Sequence, residues 1–293
     1  MNKNSSVAVL LAAYNGINWI KEQVESILNQ TDVDIDLFIS VDLSNDGTYE
    51  WCKELTLNNK NVKLLKYGDR FGGAAKNFFR LIKDVDLNLY DYVSLADQDD
   101  IWIPNKLSNA IKLIKDKKLE GYSSDVIAFS LDGQKKLIKK SFPQKKFDYY
   151  FESAGPGCTF LFKQKSINKF KIFLLKNWSM VNQVKLHDWM IYAFFRSFSM
   201  PWYIDKIPSV YYRQHNSNEV GANNNLKAYL IRFLKIKDKW YRREVEKIVY
   251  LLKENEKEEI ILDRKFLILN FYKLRRSSID SFFLLLMNIL RIF

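Results

Sequence analysis

The chain opens on seven consecutive apolar residues, Val7-Ala8-Val9-Leu10-Leu11-Ala12-Ala13, which end at the turn signal Tyr14-Asn15-Gly16. A run without alternation predicts a strand covered on both faces, as in a parallel sheet. Ile20, Val24, Ile27 and Leu28 then recur at helical spacing and predict a helix over Trp19–Asn29. A second strand, Ile35–Val41, is closed by Asp42-Leu43-Ser44-Asn45-Asp46-Gly47-Thr48 and followed by a helix over Tyr49–Leu57 and a strand at Val62–Leu65. This strand–helix–strand rhythm is that of a parallel α/β sheet. Further along, Gly72-Gly73 precedes a helix over Ala75–Lys83, and the strand Tyr92–Ala96 runs into Asp97-Gln98-Asp99-Asp100. The pattern next predicts a helix within Ile101–Lys118 after Pro104, a strand at Val126–Ser130 and a lysine-rich hairpin or loop over Asp132–Lys145. A short strand at Phe160–Phe162, helices over Ser166–Phe173 and His187–Ser197, and late strands at Trp202–Ile204 and Val210–Tyr212 complete this part. A polar break at Asn223–Asn225 separates it from helical stretches over Leu226–Leu252 and Ile260–Phe271. The expected division is an α/β catalytic domain over 1–222 and a basic helical region over 223–293.

Composition narrows the class. With 47% apolar and 15% aromatic residues in a chain of 293, a sizeable core can form and disorder is excluded. Two cysteines, Cys52 and Cys158, are too few for a disulfide framework or a cysteine-rich zinc site, and fit buried reduced thiols. No basic stretch followed by a long apolar run opens the chain, and Phe282–Met287, the longest late apolar run, is far short of the roughly 20 residues of a spanning helix. The expectation is a soluble cytoplasmic protein. Its net charge of +12 is uneven: from Gly221 to Phe293 there are 16 basic and 9 acidic residues. Such an excess suits an anionic partner, whether a phospholipid surface, nucleic acid or a phosphate-bearing substrate.

Three motifs carry candidate chemistry. Asp97-Gln98-Asp99-Asp100 places three carboxylates at a strand's carboxyl end, where open α/β sheets bind ligands. Like charges this close need a cation or hydrogen-bond donors, and a hard divalent ion with substrate phosphates would suit them; an acidic helix start is the ordinary alternative. Asp42–Thr48 follows another strand; its residues cap helices well, or Asp42 accepts hydrogen bonds from a nucleobase or ribose. His187-Asp188-Trp189 offers a general base beside a ring that packs on sugars, or else a capped helix start with a buried tryptophan. No Gly-x-Ser-x-Gly elbow, Gly-x-Gly-x-x-Gly fingerprint or P-loop occurs, which excludes three common alternatives.

Taken in order, Ala13-Tyr14-Asn15-Gly16, Asp42 with Ser44-Asn45-Asp46-Gly47-Thr48, and Asp97-Gln98-Asp99 resemble family 2 glycosyltransferases. Ala96–Trp102 together with His187-Asp188-Trp189 and Tyr212-Arg213-Gln214-His215 is similar to the rhamnosyltransferase-type branch, and the resemblance covers about residues 5–220. It implies a GT-A (Rossmann-like) fold, a mostly parallel sheet flanked by helices, with the helical C-terminal extension added. It implies inverting, metal-dependent transfer of one sugar, rhamnose from dTDP-rhamnose or alternatively a hexose from a UDP-sugar, to a hydroxyl of a bacterial surface-polysaccharide precursor. By the same resemblance, Tyr14, Asn15, Asp42, Arg70, Lys76, Asn77 and Asp97 would meet the nucleotide-sugar. Asp99 and His215 would hold Mn2+ or Mg2+, Asp188 would be the catalytic base, and Thr159, His187 and Trp189 would lie on the acceptor side. Two departures stand out. Many relatives carry two adjacent acids where this chain has Val41-Asp42, and the Gln-x-x-Arg-Trp signature of processive synthases is missing, which favours single additions.

The basic C-terminal quarter, with Arg232, Lys235, Lys237, Lys239, Arg242 and Arg243 among apolar residues, suits a helix lying on the inner face of an anionic membrane. A bundle packed on the catalytic domain or on a second subunit is the alternative. The acceptor would then be lipid-linked. A nucleic-acid partner is not expected, because the acidic motifs sit at strand ends and no nucleic-acid motif occurs.

Overall fold

The computed structural model describes residues 4–130, 132–215, 239–253 and 262–293. The elements are β1 (Ser5–Ala13), α1 (Ile20–Leu28), β2 (Val33–Val41), α2 (Thr48–Asn58), β3 (Val62–Leu64), α3 (Ala74–Asp84) and β4 (Tyr92–Ala96). They continue with β5 (Ile101–Trp102), α4 (Lys106–Asp116), β6 (Gly121–Ser124), β7 (Val126–Ser130), β8 (Lys135–Ile138), β9 (Leu161–Lys163) and α5 (Gln164–Lys176). After these come α6 (Trp178–Val181), α7 (His187–Ser197), β10 (Trp202–Asp205), β11 (Val210–Gln214), α8 (Trp240–Leu252), α9 (Arg264–Leu269) and α10 (Ser278–Ile289).

A seven-stranded sheet of order β10-β6-β9-β4-β1-β2-β3 forms the centre. β1 runs parallel to β2 and β4, β2 to β3, and β10 to β6, while β9 is antiparallel to both its neighbours. A smaller sheet, β5-β11-β7-β8, stands beside it. The apolar run in β1 explains the layering. Because side chains alternate across a strand, Ala8, Leu10 and Ala12 join one core, and Val7, Val9, Leu11 and Ala13 the other. α3, α5 and α7 cover the first face; α1, α2 and α4 cover the second.

The expected order of elements holds over the first hundred residues, with boundaries shifted by a residue or two. Ile101 and Trp102 are not the start of a helix: they pair with Tyr211 and Val210 of β11, and the helix begins at Lys106. Pro104 disfavours helical backbone at the residue before it, which keeps Ile101–Ile103 extended. β6 escaped the pattern because Gly-Tyr-Ser-Ser shows no alternation of apolar and polar residues. Gly121 is required there by close approach, since a Cβ would lie 2.3 Å from the Trp202 ring. Cys52 and Cys158 are free and buried.

The described part of the C-terminal region shares the first core. Val245, Ile248, Leu251, Leu252, Leu267, Leu274, Leu284 and Phe293 are buried in the same cluster as the β1, α3 and α7 residues. Polar ties reinforce the apolar ones. Arg276 donates to Asp148 at 3.2 Å and to the Ser153 carbonyl at 2.5 Å. Tyr241 donates to the Phe151 carbonyl at 2.6 Å, and Glu244 accepts from the Lys185 amide at 2.9 Å. The Asn223–Asn225 break and Arg232, Lys235 and Lys237 lie outside the described residues.

Candidate active site

A cavity of about 1080 Å3 opens at the carboxyl ends of β1, β2 and β4. One half of its lining comes from these strand ends: Tyr14, Asn15, Asp42, Asp97, Gln98 and Asp99, with Arg70, Asn77 and His215. The other comes from Lys136–Ile138 of β8, the 152–157 segment, the start of α7 and Arg275.

The strand-end loops are locked to one another. The Asn15 amide donates to Ser44 Oγ at 3.0 Å, and Asn15 Oδ1 accepts from the Asn45 amide at 3.0 Å. The Gly16 amide donates to Thr48 Oγ1 at 2.8 Å, and the Ile17 amide donates to Asp46 at 3.0 Å. Thus the Asp42–Thr48 motif shapes the first loop, and at the start of α2 Asp46 accepts from the Thr48 amide at 3.0 Å. Gln98 clamps the same loop from the other side, accepting from the Tyr14 amide at 2.7 Å and donating to the Tyr14 carbonyl at 2.8 Å. Asn15 adopts a positive φ of 45°, which asparagine tolerates better than most residues.

Asp42 is placed at the cavity, but its carboxylate is already engaged. Oδ1 accepts from the Leu43 and Phe71 amides, each at 2.8 Å, and Oδ2 from the Gly72 amide at 2.9 Å. It therefore anchors the 66–73 loop, which carries Arg70 to the cavity wall. Asn77 is likewise buried and committed: it pairs with the Ser40 hydroxyl and donates to the Ser40 carbonyl at 3.0 Å.

At the β4 end, Asp99 Oδ2 lies 2.7 Å from His215 Nε2, with both groups largely buried. The His215 ring stacks on Trp19 at 5.6 Å, and the Arg213 guanidinium covers the same Trp19 ring at 4.7 Å and Phe129 at 4.6 Å. Arg213 Nε donates to the Asp99 carbonyl at 2.8 Å. Trp19 and Arg213 thus hold the Asp99–His215 pair, a supporting role that no local pattern in the sequence announces. A carboxylate and an imidazole converge here, and Asp97 lies in the same cavity lining. Asp97, Asp100 and Cys158 also bring donor atoms within 4.8 Å of one another. That trio fits a hard cation poorly, because a cysteine sulfur is a soft ligand and both Asp100 and Cys158 are fully buried. Lys106, buried beside them with its ammonium 3.5 Å from the Trp102 ring centre, is pushed down to about 7 by desolvation.

At the α7 start, Asp188 is half-buried in the cavity wall and accepts from the Trp189 amide at 2.7 Å. Desolvation raises its pKa to about 6, partly offset by the Trp189 amide, the Ser153 hydroxyl and the charge of Lys140. A carboxylate poised there can accept a proton near neutral pH. His187 lines the cavity with its ring stacked on Phe78 at 4.0 Å, and burial pushes it down to about 3, so it is neutral. Gly157 is fixed by this ring: a Cβ there would lie 2.4 Å from His187 Nε2.

Three of the expected residues lie outside this lining. Lys76 does not reach this cavity; it borders a separate surface depression with Arg80, Asp84 and Trp178. Thr159 is fully buried, its hydroxyl donating to the Pro156 carbonyl at 2.8 Å. Trp189 is buried beneath α7, with Nε1 donating to the Tyr149 carbonyl at 2.9 Å and its ring stacked on Tyr241. In each case the motif was local, whereas side-chain direction is set by packing. Conversely, Lys140 and Ser153 line the cavity near Asp188, and Arg275 lines the same cavity, without a local sequence pattern to mark them.

Residues 8–173 match the profile of Glycosyl transferase family 2. The chain is 45% identical over 289 residues, 97% of its own length and all of the relative's, to the dTDP-rhamnosyl transferase RfbG of Shigella flexneri. It is 29% identical over 115 residues, 39% of this chain and 43% of the relative, to an Escherichia coli enzyme, the UDP-Glc:alpha-D-GlcNAc-diphosphoundecaprenol beta-1,3-glucosyltransferase WfaP. Among solved structures, Staphylococcus aureus TarS in complex with UDP-GlcNAc superposes with a TM-score of 0.62 at 14% identity, covering 98% of this chain and 80% of that one. The mannosyltransferase PcManGT of Pyrobaculum calidifontis in complex with GDP-Man and Mn2+ gives 0.53 at 15% identity, over 99% and 81%. At these identities the two structures speak for the fold.

Proposed function

This chain belongs to glycosyl transferase family 2, and from that premise we propose that it moves rhamnose from dTDP-rhamnose, with inversion, to a hydroxyl of a surface-polysaccharide precursor. The full-length 45% identity to a dTDP-rhamnosyl transferase supports this donor over the UDP-hexose alternative. The acceptor is taken to be lipid-linked and met at the cytoplasmic face of the membrane, for which the basic C-terminal region is the support. The observation that carries the chemistry is one cavity lined both by Asp188, with its pKa near 6, and by Asp97 and the Asp99–His215 pair.

Asp188 removes the proton of the acceptor hydroxyl as its oxygen attacks the anomeric carbon. The new carbon–oxygen bond forms while the bond to the nucleoside diphosphate breaks on the far side, so the centre inverts in one step. Ser153 and the Trp189 amide hold the Asp188 carboxylate in place, and Lys140 keeps enough of it ionised. Neutral His187 adds no competing cation beside it. Asp99 and His215, with Asp97, would hold a divalent cation, Mn2+ or Mg2+. When bound, that ion supplies charge neutralisation for the departing diphosphate. Tyr14, Asn15 and Arg70 border the space for the nucleotide, and Asp42 and Asn77 keep the surrounding loops fixed.

Calorimetry of dTDP-rhamnose, UDP-glucose and UDP with Mn2+ and then EDTA tests the reading. Selective, metal-dependent binding of dTDP-rhamnose is expected. Preference for UDP-glucose would overturn the donor assignment, and binding to none would overturn the donor site.

A further inference from the structure

The last helix, α10, buries two polar residues and exposes several large apolar ones. Its buried residues are Ser281, Leu284 and Asn288, and the two polar ones satisfy themselves inward: Ser281 donates to the Arg275 carbonyl at 2.9 Å and Asn288 to the Leu284 carbonyl at 2.8 Å. Leu284 packs in the core and residues 285–287 are half-buried, but the other large apolar residues face out. Ile279 is 70% exposed, Phe283 60% and Phe282 54%, and beyond the helix Leu290 is 65% exposed. Leu269 and Tyr272, just before it, are exposed as well. A helix in contact only with water would present the opposite pattern, and contiguous exposed apolar side chains mark a surface of interaction.

The charges around this surface indicate its partner. Arg264 is exposed and ties the end of α10, donating to the carbonyls of Asn288 at 2.9 Å and Ile289 at 2.7 Å. Lys265 and Arg291 are exposed beside it. Across 239–253 and 262–293 there are eleven lysines and arginines against four acids. An apolar face rimmed by cations fits an anionic bilayer, where aromatic and aliphatic side chains enter the interface and the cations meet lipid phosphates. A second copy of the chain would bring the same cations against one another. The helix has 12 residues, so it lies on a bilayer rather than crossing it.

We propose that α10 and the Leu269–Tyr272 segment dock this protein on an anionic lipid surface through Ile279, Phe282, Phe283 and Leu290, and that this sets the acceptor side of the cavity at the membrane. The link to the cavity is Arg275, which lines it and pairs with Asp280 in the first turn of α10 at 3.3 Å. The second half of the inference rests on the reading of a lipid-linked acceptor given above; the docking surface itself does not.

The test is flotation of the full chain with phosphatidylglycerol–phosphatidylcholine vesicles and with phosphatidylcholine vesicles alone, each protein also being titrated with dTDP-rhamnose and Mn2+. The wild type should float with the anionic vesicles and release at high salt. Phe282→Ser with Phe283→Ser should lower partitioning roughly tenfold or more, and Lys265→Glu with Arg291→Glu should lower it on anionic vesicles, with donor binding unchanged in both. A wild type that binds donor but stays free of anionic vesicles overturns the docking surface alone. So does a concentration-dependent dimer that Phe282→Ser with Phe283→Ser makes monomeric. A wild type that floats but binds no donor overturns the donor reading and leaves the docking surface standing.

Discussion

The two halves of the cavity are built by different means. On the donor side, three consecutive strand ends deliver Tyr14–Asn15, Asp42 and Asp97–Asp99, and short loops bind one another through Ser44, Asp46, Thr48 and Gln98. On the acceptor side, residues distant in sequence meet: β8, the 152–157 segment, the start of α7 and Arg275 from the C-terminal region. The first half follows from local chain order. The second exists only once a buried ionic network, Asp148 with Arg196, Arg276 and Tyr192, has drawn the C-terminal helices onto the 148–153 segment.

That contrast can be broken at its chemical centre. Asp188→Asn should reduce transfer by about 10²- to 10⁴-fold, the usual share of a general base, with donor binding retained. The pH dependence has a definite sign. Activity should fall as pH drops through about 6, where the carboxylate protonates. Stability moves the other way: the folded pKa is raised, so the ionised form costs stability as pH rises towards and past that value, and Asp188→Asn should melt higher than wild type at neutral pH.

The donor half is challenged by Arg213→Met, which removes the support beneath Asp99 and His215. It should weaken metal-dependent donor binding about 10- to 100-fold, as loss of groups behind metal ligands does elsewhere; metal titration with dTDP-rhamnose reads this. The acceptor half is challenged by Arg276→Met, which strips one cation from the fully buried Asp148. A stability loss of about 3–5 kcal/mol is expected in urea unfolding. Lys140→Met sharpens the picture more gently. With that positive charge gone, Asp188 should titrate higher and the acidic limb of the kcat/KM profile should move to higher pH. The smallest effect belongs to Gly16→Ala: its Cβ would lie 2.1 Å from Gln98 Oε1 and would displace the Gln98 clamp on Tyr14, while the Ser44, Asp46 and Thr48 ties still hold the loop. Donor affinity should drop only severalfold.

How much was legible in the sequence follows the same division. The apolar run of β1, the helical spacing in α1 and the βαβ order were readable because each depends on residues within one element. So were the strand-end motifs, since a parallel sheet gathers its carboxyl ends at one edge whatever the rest of the chain does. Side-chain direction was not. Asp42 turns to the Phe71 and Gly72 amides, 29 and 30 residues away, and Trp189 turns to Tyr149 and Tyr241 rather than to the cavity. Arg275 was visible only as one charge in a basic stretch; its place in the cavity wall depends on how α8 and α10 pack. The same packing leaves Ile279, Phe282 and Phe283 of α10 exposed, which composition cannot reveal.

The central claim is that Asp188 acts on the acceptor in a cavity whose other side holds the nucleotide-sugar. Turnover and calorimetric binding of dTDP-rhamnose with Mn2+, measured on one preparation of Asp188→Asn beside wild type, test it most directly. Donor affinity close to wild type with turnover reduced by about 10²-fold or more is expected. Turnover near wild type, or loss of donor binding in step with turnover, would contradict it.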